Sequence, residues 1–505
     1  MRHTAFYLAA FFSLFLIFNS EIKCESQDST VTSTQSAVTA NDSVEASTTN
    51  TTAEQPASAG AKSSAEESGE HHGVAPNPLM VIPFITLLLL IAIAPLFFQH
   101  FWEHNYHRVA IFLGLITTGY YMIVLKDFVS LRHTLVEYLS FIALLGSLFV
   151  ASGGILIKVD KKATPLFNTL FLLVGAVISN VIGTTGASML LIRPFMRMNK
   201  GRIKPYHIIF FIFVVSNAGG ALTPIGDPPL FLGFLKGIPF FWVIEHVWFI
   251  WLLTLGMILA VFFFLDSANK AGKESENEYS GKFYFKGLKN LAYLGIIIIS
   301  VFLDPAVISW IPSLDPLPIG VREIIMFSVI FISYKTADKE ALKANEFDFA
   351  PIKEVAYLFV GIFFTMIPAL RLIADMAKEN SDVFTGSLFY WATGSLSSFL
   401  DNAPTYLNFL SAAMGKFGHD INGGTDATHA FLQNADAVHY LVAISVSSVF
   451  FGAMTYIGNG PNFMVKSISE RAGVRVPTFI EYMFKYSLPI LLPIYGIIWF
   501  FFFRG

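Results

Sequence analysis

Long apolar stretches alternate with short polar segments from residue 79 almost to the end of the chain. Ten of these stretches are apolar enough to form membrane-spanning helices. They are 79–97, 109–125, 135–157, 205–235, 240–265, 289–303, 321–334, 352–373, 438–465 and 486–503. Two further apolar stretches, 164–192 and 386–412, are interrupted near their centres by polar and turn-forming residues. The pattern predicts an all-α polytopic membrane protein with about ten transmembrane helices.

The composition supports a membrane protein and excludes several other classes. Hydrophobic residues make up 54% of the 505 residues and charged residues only 14%, whereas a soluble domain has about 25% charged residues. These values exclude a disordered chain, a soluble enzyme of ordinary composition and a basic nucleic-acid binder. A single cysteine excludes a disulfide framework and a cysteine-based metal or redox site.

The first 77 residues differ from the rest. Residues 1–24 combine a short positive start with an apolar run of about fifteen residues, which predicts a signal peptide or a signal anchor. Residues 25–77 are rich in Ser, Thr, Ala and Glu and have almost no apolar side chains, so they cannot bury a core. We expect a disordered extracytoplasmic tail.

The positions of Lys and Arg decide whether the two interrupted stretches cross the membrane. If both are re-entrant hairpins and the tail lies outside, 22 of these residues lie in cytoplasmic loops and nine lie outside. If both stretches crossed, the basic loops between them would face outward, against the positive-inside rule. The chain therefore reads as two repeats of inverted topology, 78–265 and 289–503, joined by a cytoplasmic linker, 266–288. Hairpin 164–192 opens inward and hairpin 386–412 outward, in the inner (plasma) membrane.

An internal sequence repeat supports the same division. The segment Thr223–Pro229 (TPIGDPP) aligns with Thr455–Pro461 (TYIGNGP) at an offset of 232 residues, and Thr185 aligns with Thr405 at an offset of 220. Gly and Pro in these segments break helices and free backbone groups, which a bilayer tolerates only beside protein or a water-lined cavity. Paired broken segments in inverted halves indicate the binding site of a transporter, although single breaks can be mere kinks.

At these motifs the chain resembles the ion transporter superfamily of the arsenite and NhaD type, in particular NhaD-type sodium/proton antiporters and the citrate transporters related to them. The resemblance covers about residues 79–503 and is carried by SNVIGTT (179–185), the segment 217–229, DNAPT (401–405) and the segment 455–461. It implies two inverted repeats with re-entrant hairpins, cation-coupled secondary transport and a homodimer. The carboxylate transporters of this superfamily have Ser-Asn-Thr in both hairpins, whereas the second hairpin here has Asp401-Asn402.

Two carboxylates, Asp401 and Asp227, fall in the interrupted segments, and intramembrane ionisable groups are functional by default. No Lys or Arg lies in the hairpin tips or the breaks, so the segments suit Na⁺ or Li⁺ and H⁺ better than a carboxylate anion. We expect Na⁺ at Asp401 and possibly at Asp227. The candidate ion-binding residues are Asp401, Asp227, Asn180, Thr184, Thr185, Asn217, Thr223, Gly226, Asn402, Thr405, Thr455, Gly458 and Asn459.

Simpler roles are open for the same residues. Asp401 and Asp227 each precede a proline-containing helix start and could serve only as helix N-caps. The four asparagines could satisfy freed backbone groups, and the threonines could be caps or ligands.

The sequence thus predicts a Na⁺(Li⁺)/H⁺ antiporter that works by alternating access, with membrane lipid around it and with neither a cofactor nor a nucleic-acid partner. The alternative is a cation-coupled transporter of citrate, another carboxylate or another anion. An intramembrane hydrolase or a channel is a remote third reading, because a His-Glu-x-x-His and a Gly-x-Gly-Asp motif are both absent from the sequence. We therefore do not expect an enzyme.

Overall fold

Helices make up nearly all the regular structure in the described part of the chain. The computed structural model describes residues 75–159, 163–269, 283–305, 308, 310–312, 314, 317 and 319–504. The predicted signal and nearly all of the predicted tail lie outside these residues.

The first repeat contains seven α-helices and one strand, with a 3₁₀ turn (Pro78–Val81) before the first helix and a π turn (Tyr121–Leu125) after the second. These elements are α1 (Ile82–Phe97), α2 (Gln99–Tyr120), α3 (Phe128–Gly153), β1 (Leu156–Val159), α4 (Pro165–Met198), α5 (Pro205–Val214), α6 (Pro228–Leu235) and α7 (Trp242–Ser267). A further 3₁₀ turn, Ala218–Gly220, lies between α5 and α6.

The linker and the second repeat follow the same plan, with a 3₁₀ turn (Gly452–Met454) and a π turn (Met483–Ser487) between helices. The elements are β2 (Phe283–Lys286), α8 (Leu288–Val301), α9 (Val321–Thr336), α10 (Lys339–Ala344), α11 (Ala350–Glu379), α12 (Gly386–Ser397), α13 (Asn402–Lys416), α14 (Gly424–Leu432), α15 (Ala435–Phe451), α16 (Gly460–Arg471), α17 (Phe479–Tyr482) and α18 (Leu488–Phe502).

Each of the ten predicted stretches is helical over most of its length. Among the described residues, eight helices are long and apolar enough to cross a membrane. The prediction of an all-α polytopic membrane protein is therefore confirmed. The only sheet in the described part of the chain is a two-stranded antiparallel one, in which Leu156 lies opposite Lys286. The sequence analysis missed it, because it read residues 156 and 157 as the end of a helix and β2 as linker.

Helix α4 is a hairpin, although its 34 residues and its hydropathy would suit a crossing helix. A straight helix of this length would measure roughly 50 Å. Instead, the Asn168 side chain donates a hydrogen bond to Asn199 Oδ1 over 2.9 Å, and the rings of Phe171 and Phe195 stack with centroids 5.6 Å apart. The chain reverses at Gly183, whose φ of 78° is in a region that L-residues avoid. We call α4 hairpin 1.

Helices α12 and α13 form the second fold-back, which we call hairpin 2. They are separated by the non-helical residues 398–401, and the rings of Phe389 and Phe409 meet across the two arms with centroids 5.9 Å apart. Both interrupted stretches therefore have the fold-back geometry that the polar residues at their centres indicate. The side of the membrane from which each hairpin opens stays a prediction.

Two helices are broken where the sequence repeat predicts it. The first break separates α5 from α6, and the second separates α15 from α16. Both restart with proline in the first turn, where its missing N–H costs nothing. In each repeat a threonine of the break donates to a backbone carbonyl of the hairpin: Thr223 to Asn180 over 2.6 Å and Thr455 to Ser398 over 2.5 Å. These bonds relate the breaks at an offset of 232 residues and the first hairpin arms at 218.

Candidate functional site

The carboxyl group of Asp227 is the point at which the interrupted elements meet. It is 1% exposed and immediately precedes α6. Its Oδ1 accepts hydrogen bonds from Thr184 Oγ1 over 2.7 Å and from Asn459 Nδ2 over 3.0 Å, and its Oδ2 accepts one from Asn402 Nδ2 over 2.5 Å. One carboxylate of the first break thus binds both hairpin tips and the second break. We call these four residues the Asp227 cluster.

Local backbone geometry puts Thr184 in this cluster. Thr184 follows the reversal at Gly183, and its N–H donates to Gly226 O over 2.8 Å. The N–H of Gly226 in turn donates to Thr223 Oγ1 over 3.0 Å. The tip of hairpin 1 is therefore held against the first break by backbone groups, which leaves the Thr184 hydroxyl to reach Asp227.

Asn402 contributes an oxygen that lacks a partner. It begins α13 and is fully buried, and its side-chain N–H group is used by Asp227. Its Oδ1 finds no hydrogen-bond donor among the described residues. Leaving a buried carbonyl oxygen unpaired costs roughly 1–3 kcal/mol, which marks it as a group that waits for a ligand.

The cluster offers oxygen ligands of the kind that hard cations require. They are the carboxylate of Asp227, the amide oxygen of Asn402 and the hydroxyl of Thr184. The described residues contain no group of three or more His, Cys, Asp and Glu side chains that could hold a metal ion. With one carboxylate among neutral oxygens, the cluster suits a monovalent cation or a proton better than a transition metal.

Asp401 has the geometry of the simpler role considered above. Its Oδ1 accepts a hydrogen bond from the Ala403 N–H over 3.0 Å, as expected of the N-cap of α13. Its backbone carbonyl accepts a bond from Thr405 Oγ1 over 2.9 Å. Asp401 is half-buried and close enough to Asp227 for their charges to interact. The geometry therefore makes Asp227 the centre and Asp401 its neighbour.

Asn180 supports the backbone of the first break. Its side-chain N–H group donates to Gly219 O over 2.6 Å, and its Oδ1 accepts from the Leu222 N–H over 2.9 Å. These are the freed backbone groups that a broken helix must satisfy inside a bilayer. Asn180 therefore shapes the site without contacting Asp227.

Asparagines join the two breaks. The amide of Asn459 also lies 3.2 Å from Asn217 Oδ1, and the amide of Asn217 donates to Asn462 Oδ1 over 2.7 Å. Asn462 in turn donates to the carbonyls of Gly452 and Thr455. The sequence analysis did not single out Asn462, although a buried amide directly after Pro461 was the available signal.

The remaining candidates lie around this network. Thr455 Oγ1 accepts the Gly458 N–H over 3.2 Å, so it fixes the second break as Thr223 fixes the first. Gly226 and Gly458 lie against backbone carbonyls, where a Cβ would overlap them. The side chain of Thr185 is half-buried and makes no hydrogen bond with the described part of the chain.

The helix starts at the site offer little to an anion. The N-terminus of α13 is capped by the Asp401 carboxylate, and α6 begins with two prolines, which have no N–H to donate. None of the three donors to Asp227 carries a positive charge. The electrostatics of the site thus favour a cation.

One family comparison gives a match. Residues 75–503, which include both hairpins and both breaks, match the family described as "Putative citrate transport". A search of the curated proteins finds no match. The family match confirms the resemblance to the ion and citrate transporter superfamily that the motifs indicate.

Proposed function

The chain belongs to the family described as "Putative citrate transport", and from that premise we propose that it is a secondary active transporter that exchanges Na⁺ or Li⁺ for H⁺. The family supports a multi-pass membrane transporter that is not an enzyme. The choice of cation and proton rests on the chemistry of the Asp227 cluster. As the homodimer implied by the resemblance, the transporter would lie in the inner (plasma) membrane with its N-terminal tail outside.

The observation that carries the proposal is the pairing of a buried carboxylate with an unpaired buried oxygen. Asp227 and Asn402 are already joined by a hydrogen bond, and Asn402 Oδ1 has no donor among the described residues. A dehydrated Na⁺ bound between them would be coordinated by both oxygens and would neutralise the carboxylate. A proton on Asp227 would neutralise it equally well, so the two ions compete for one site.

Competition at one carboxylate is sufficient for exchange if the site opens to each side in turn. The cluster lies where the tips of two hairpins from opposite repeats meet, so a movement of either hairpin breaks or forms a bond to Asp227. The carboxylate is costly to leave bare in a low-dielectric site. Passage between the two open states is therefore favourable only with Na⁺, Li⁺ or H⁺ bound, which couples the two fluxes.

Proton movement in inverted membrane vesicles tests this proposal. We expect a preformed pH gradient to collapse on addition of NaCl or LiCl, with a smaller response or none to KCl, across pH 6.5 to 9. Vesicles that lack the protein and vesicles with Asp227→Asn are the controls. A gradient that no salt disturbs would overturn the antiporter proposal.

Citrate transport is the second candidate, and the description of the family favours it. In that case Ser179, Asn180 and Thr184 of hairpin 1 would belong to the anion or coupling-ion site, as the superfamily's carboxylate transporters imply. Saturable citrate uptake that requires Na⁺ or H⁺, together with a silent antiport assay, would favour this candidate. The capped start of α13 and the two prolines of α6 weigh against it.

A further inference from the structure

A cavity of about 410 Å³ lies between the two repeats, where three helices end. One side is lined by residues at the start of α5 and the end of α7, including Lys204 and Tyr206. The other side is lined by the loop after α16 and by the start of the last spanning segment, including Arg475, Lys485 and Tyr486. The cavity is therefore a cleft to which both repeats contribute.

The lining of this cleft is positively charged. It includes three cationic side chains and one carboxylate, Glu481. Glu481 is shared by Lys485 at 3.2 Å and Arg475 at 3.9 Å. Lys204 is exposed and forms no ion pair with any described residue. Two positive charges thus exceed what Glu481 can neutralise, and an anion is the ligand that this balance favours.

The position of the cleft along the helices puts it at the edge of the membrane. Helix α5 begins at Pro205, the spanning helix α7 ends at Ser267, and the last spanning segment begins at Phe479. Tyr206 and Tyr486 line the cleft at this level, where tyrosine is enriched in membrane proteins. This is also the side that the distribution of Lys and Arg predicts to be cytoplasmic.

Apolar side chains project from the helix ends beside the cleft. Phe264 is 72% exposed and Phe484 is 63% exposed, and Ile480 lies between them and the aqueous boundary as a further exposed apolar residue of the same segment. A soluble anion has no use for such neighbours. A lipid does, since its acyl chains would cover them while its headgroup occupies the cleft.

We propose that this cleft binds the headgroup of an anionic phospholipid, with its phosphate between Lys204, Arg475 and Lys485. Basic pockets between helices at the cytoplasmic side are the usual receptors for such headgroups. Because the pocket is built by both repeats, a bound lipid joins them. It also contacts Tyr206, whose hydroxyl donates to the buried Asp266 of α7 over 2.7 Å. A bound lipid therefore stabilises the arrangement of the repeats seen in this structure.

Thermal unfolding of the full-length protein in detergent tests the proposal. The probes are short-chain phosphatidylglycerol, short-chain phosphatidylcholine and inorganic phosphate, each titrated separately. We expect phosphatidylglycerol to raise the unfolding temperature saturably and the other two to have little effect. Each cation near the membrane surface contributes about fivefold in affinity. The variant Lys204→Gln/Arg475→Gln/Lys485→Gln is expected to bind phosphatidylglycerol about a hundredfold more weakly.

Two further variants keep the test sharp. Glu481→Gln removes the one carboxylate of the cleft and is expected to strengthen binding of phosphatidylglycerol severalfold. Lys335→Gln/Lys339→Gln/Lys343→Gln removes three exposed lysines elsewhere on the predicted cytoplasmic side and is expected to leave binding unchanged. Equal stabilisation by both lipids, or unchanged affinity in the cleft variant, overturns the proposal. Stabilisation by inorganic phosphate as strong as that by phosphatidylglycerol overturns the lipid assignment and leaves a site for soluble phosphate.

Discussion

Asp227 and Asn459 occupy equivalent positions in the two repeats, 232 residues apart, and are joined by a hydrogen bond of 3.0 Å. Each residue directly precedes the helix that restarts after its break. The two repeats therefore meet through the same position of the same motif, with a carboxylate on one side and an amide on the other. A symmetrical pair of aspartates would repel, whereas this pair holds one negative charge between two halves and makes Asp227 the residue on which exchange depends.

The first prediction concerns the charge of Asp227. Asp227→Asn keeps the shape of the side chain and removes the charge, so we expect Na⁺-dependent proton movement to fall to the background of empty vesicles. The fold is expected to survive, because rotation of the Asn402 amide would give both amides partners. Thermal unfolding within a few degrees of wild type, with proton movement lost, is the expected result. Full exchange in this variant would remove Asp227 from the site.

The second prediction concerns the unpaired oxygen of Asn402. Asn402→Ala removes that oxygen and one donor to Asp227, so we expect the Na⁺ concentration for half-maximal exchange to rise about tenfold or more, as for loss of a bond to a charged group. Asn408→Ala is the matched control. Asn408 lies on the same helix and donates to Pro404 O. Equal effects of the two substitutions would mean that Asn402 acts through α13 and not as a ligand.

The third prediction separates the cap from the charge at Asp401. Asparagine is as good an N-cap as aspartate, whereas alanine is poor and costs about 1 kcal/mol. We expect Asp401→Asn to retain folding and exchange, and Asp401→Ala to lower the unfolding temperature. The measurements are thermal unfolding and vesicle exchange on both variants. Loss of exchange in Asp401→Asn, with stability unchanged, would instead make Asp401 an exchanging carboxylate, as the sequence analysis expected.

The fourth prediction concerns the close packing of the breaks. A Cβ on Gly226 would overlap the carbonyl oxygen of Gly220, and a Cβ on Gly458 would lie 2.7 Å from that of Gly452. We expect each Gly→Ala change to destabilise the protein by about 1–3 kcal/mol, the usual cost of overpacking. Gly256→Ala in α7 is the control, because its Cβ would meet nothing within 4 Å. A neutral Gly226→Ala variant would mean that the break is looser than it is here.

The sequence predicted the interrupted elements well because the bilayer makes their signals strong. Gly183, Pro228 and Pro461 break helices where no water can satisfy the backbone, so the positions of the breaks could be read directly. The relative roles of Asp401 and Asp227 could not be read, since both precede prolines and only the fold-back of hairpin 1 brings Thr184 to Asp227. The sheet of β1 and β2 was missed because a four-residue strand next to an apolar helix has no distinct periodicity.

The fifth prediction concerns the far end of the helix that begins after Asp227. Lys236 directly follows α6 and is 7% exposed, and its ammonium group contacts Glu137 of α3 at 2.7 Å and Asn422 Oδ1 at 2.8 Å. Removing one partner of a buried ion pair costs about 3–5 kcal/mol, whereas removing both can be nearly neutral. We expect Lys236→Met to lower the unfolding temperature strongly and Lys236→Met/Glu137→Gln to recover most of the loss.

The double variant also tests whether this ion pair restrains α6 during transport. Helix α6 has only eight residues, with Asp227 at one end and the ion pair at the other. A stable double variant that exchanges Na⁺ faster than wild type would indicate that the restraint slows the movement of α6. An exchange rate equal to that of wild type would restrict the ion pair to folding. Lys416→Met is the control, since Lys416 donates to Ser381 O from α13 and lies outside the ion pair. Its exchange rate is expected to match that of wild type, because the bond it loses leaves α6 and Asp227 untouched.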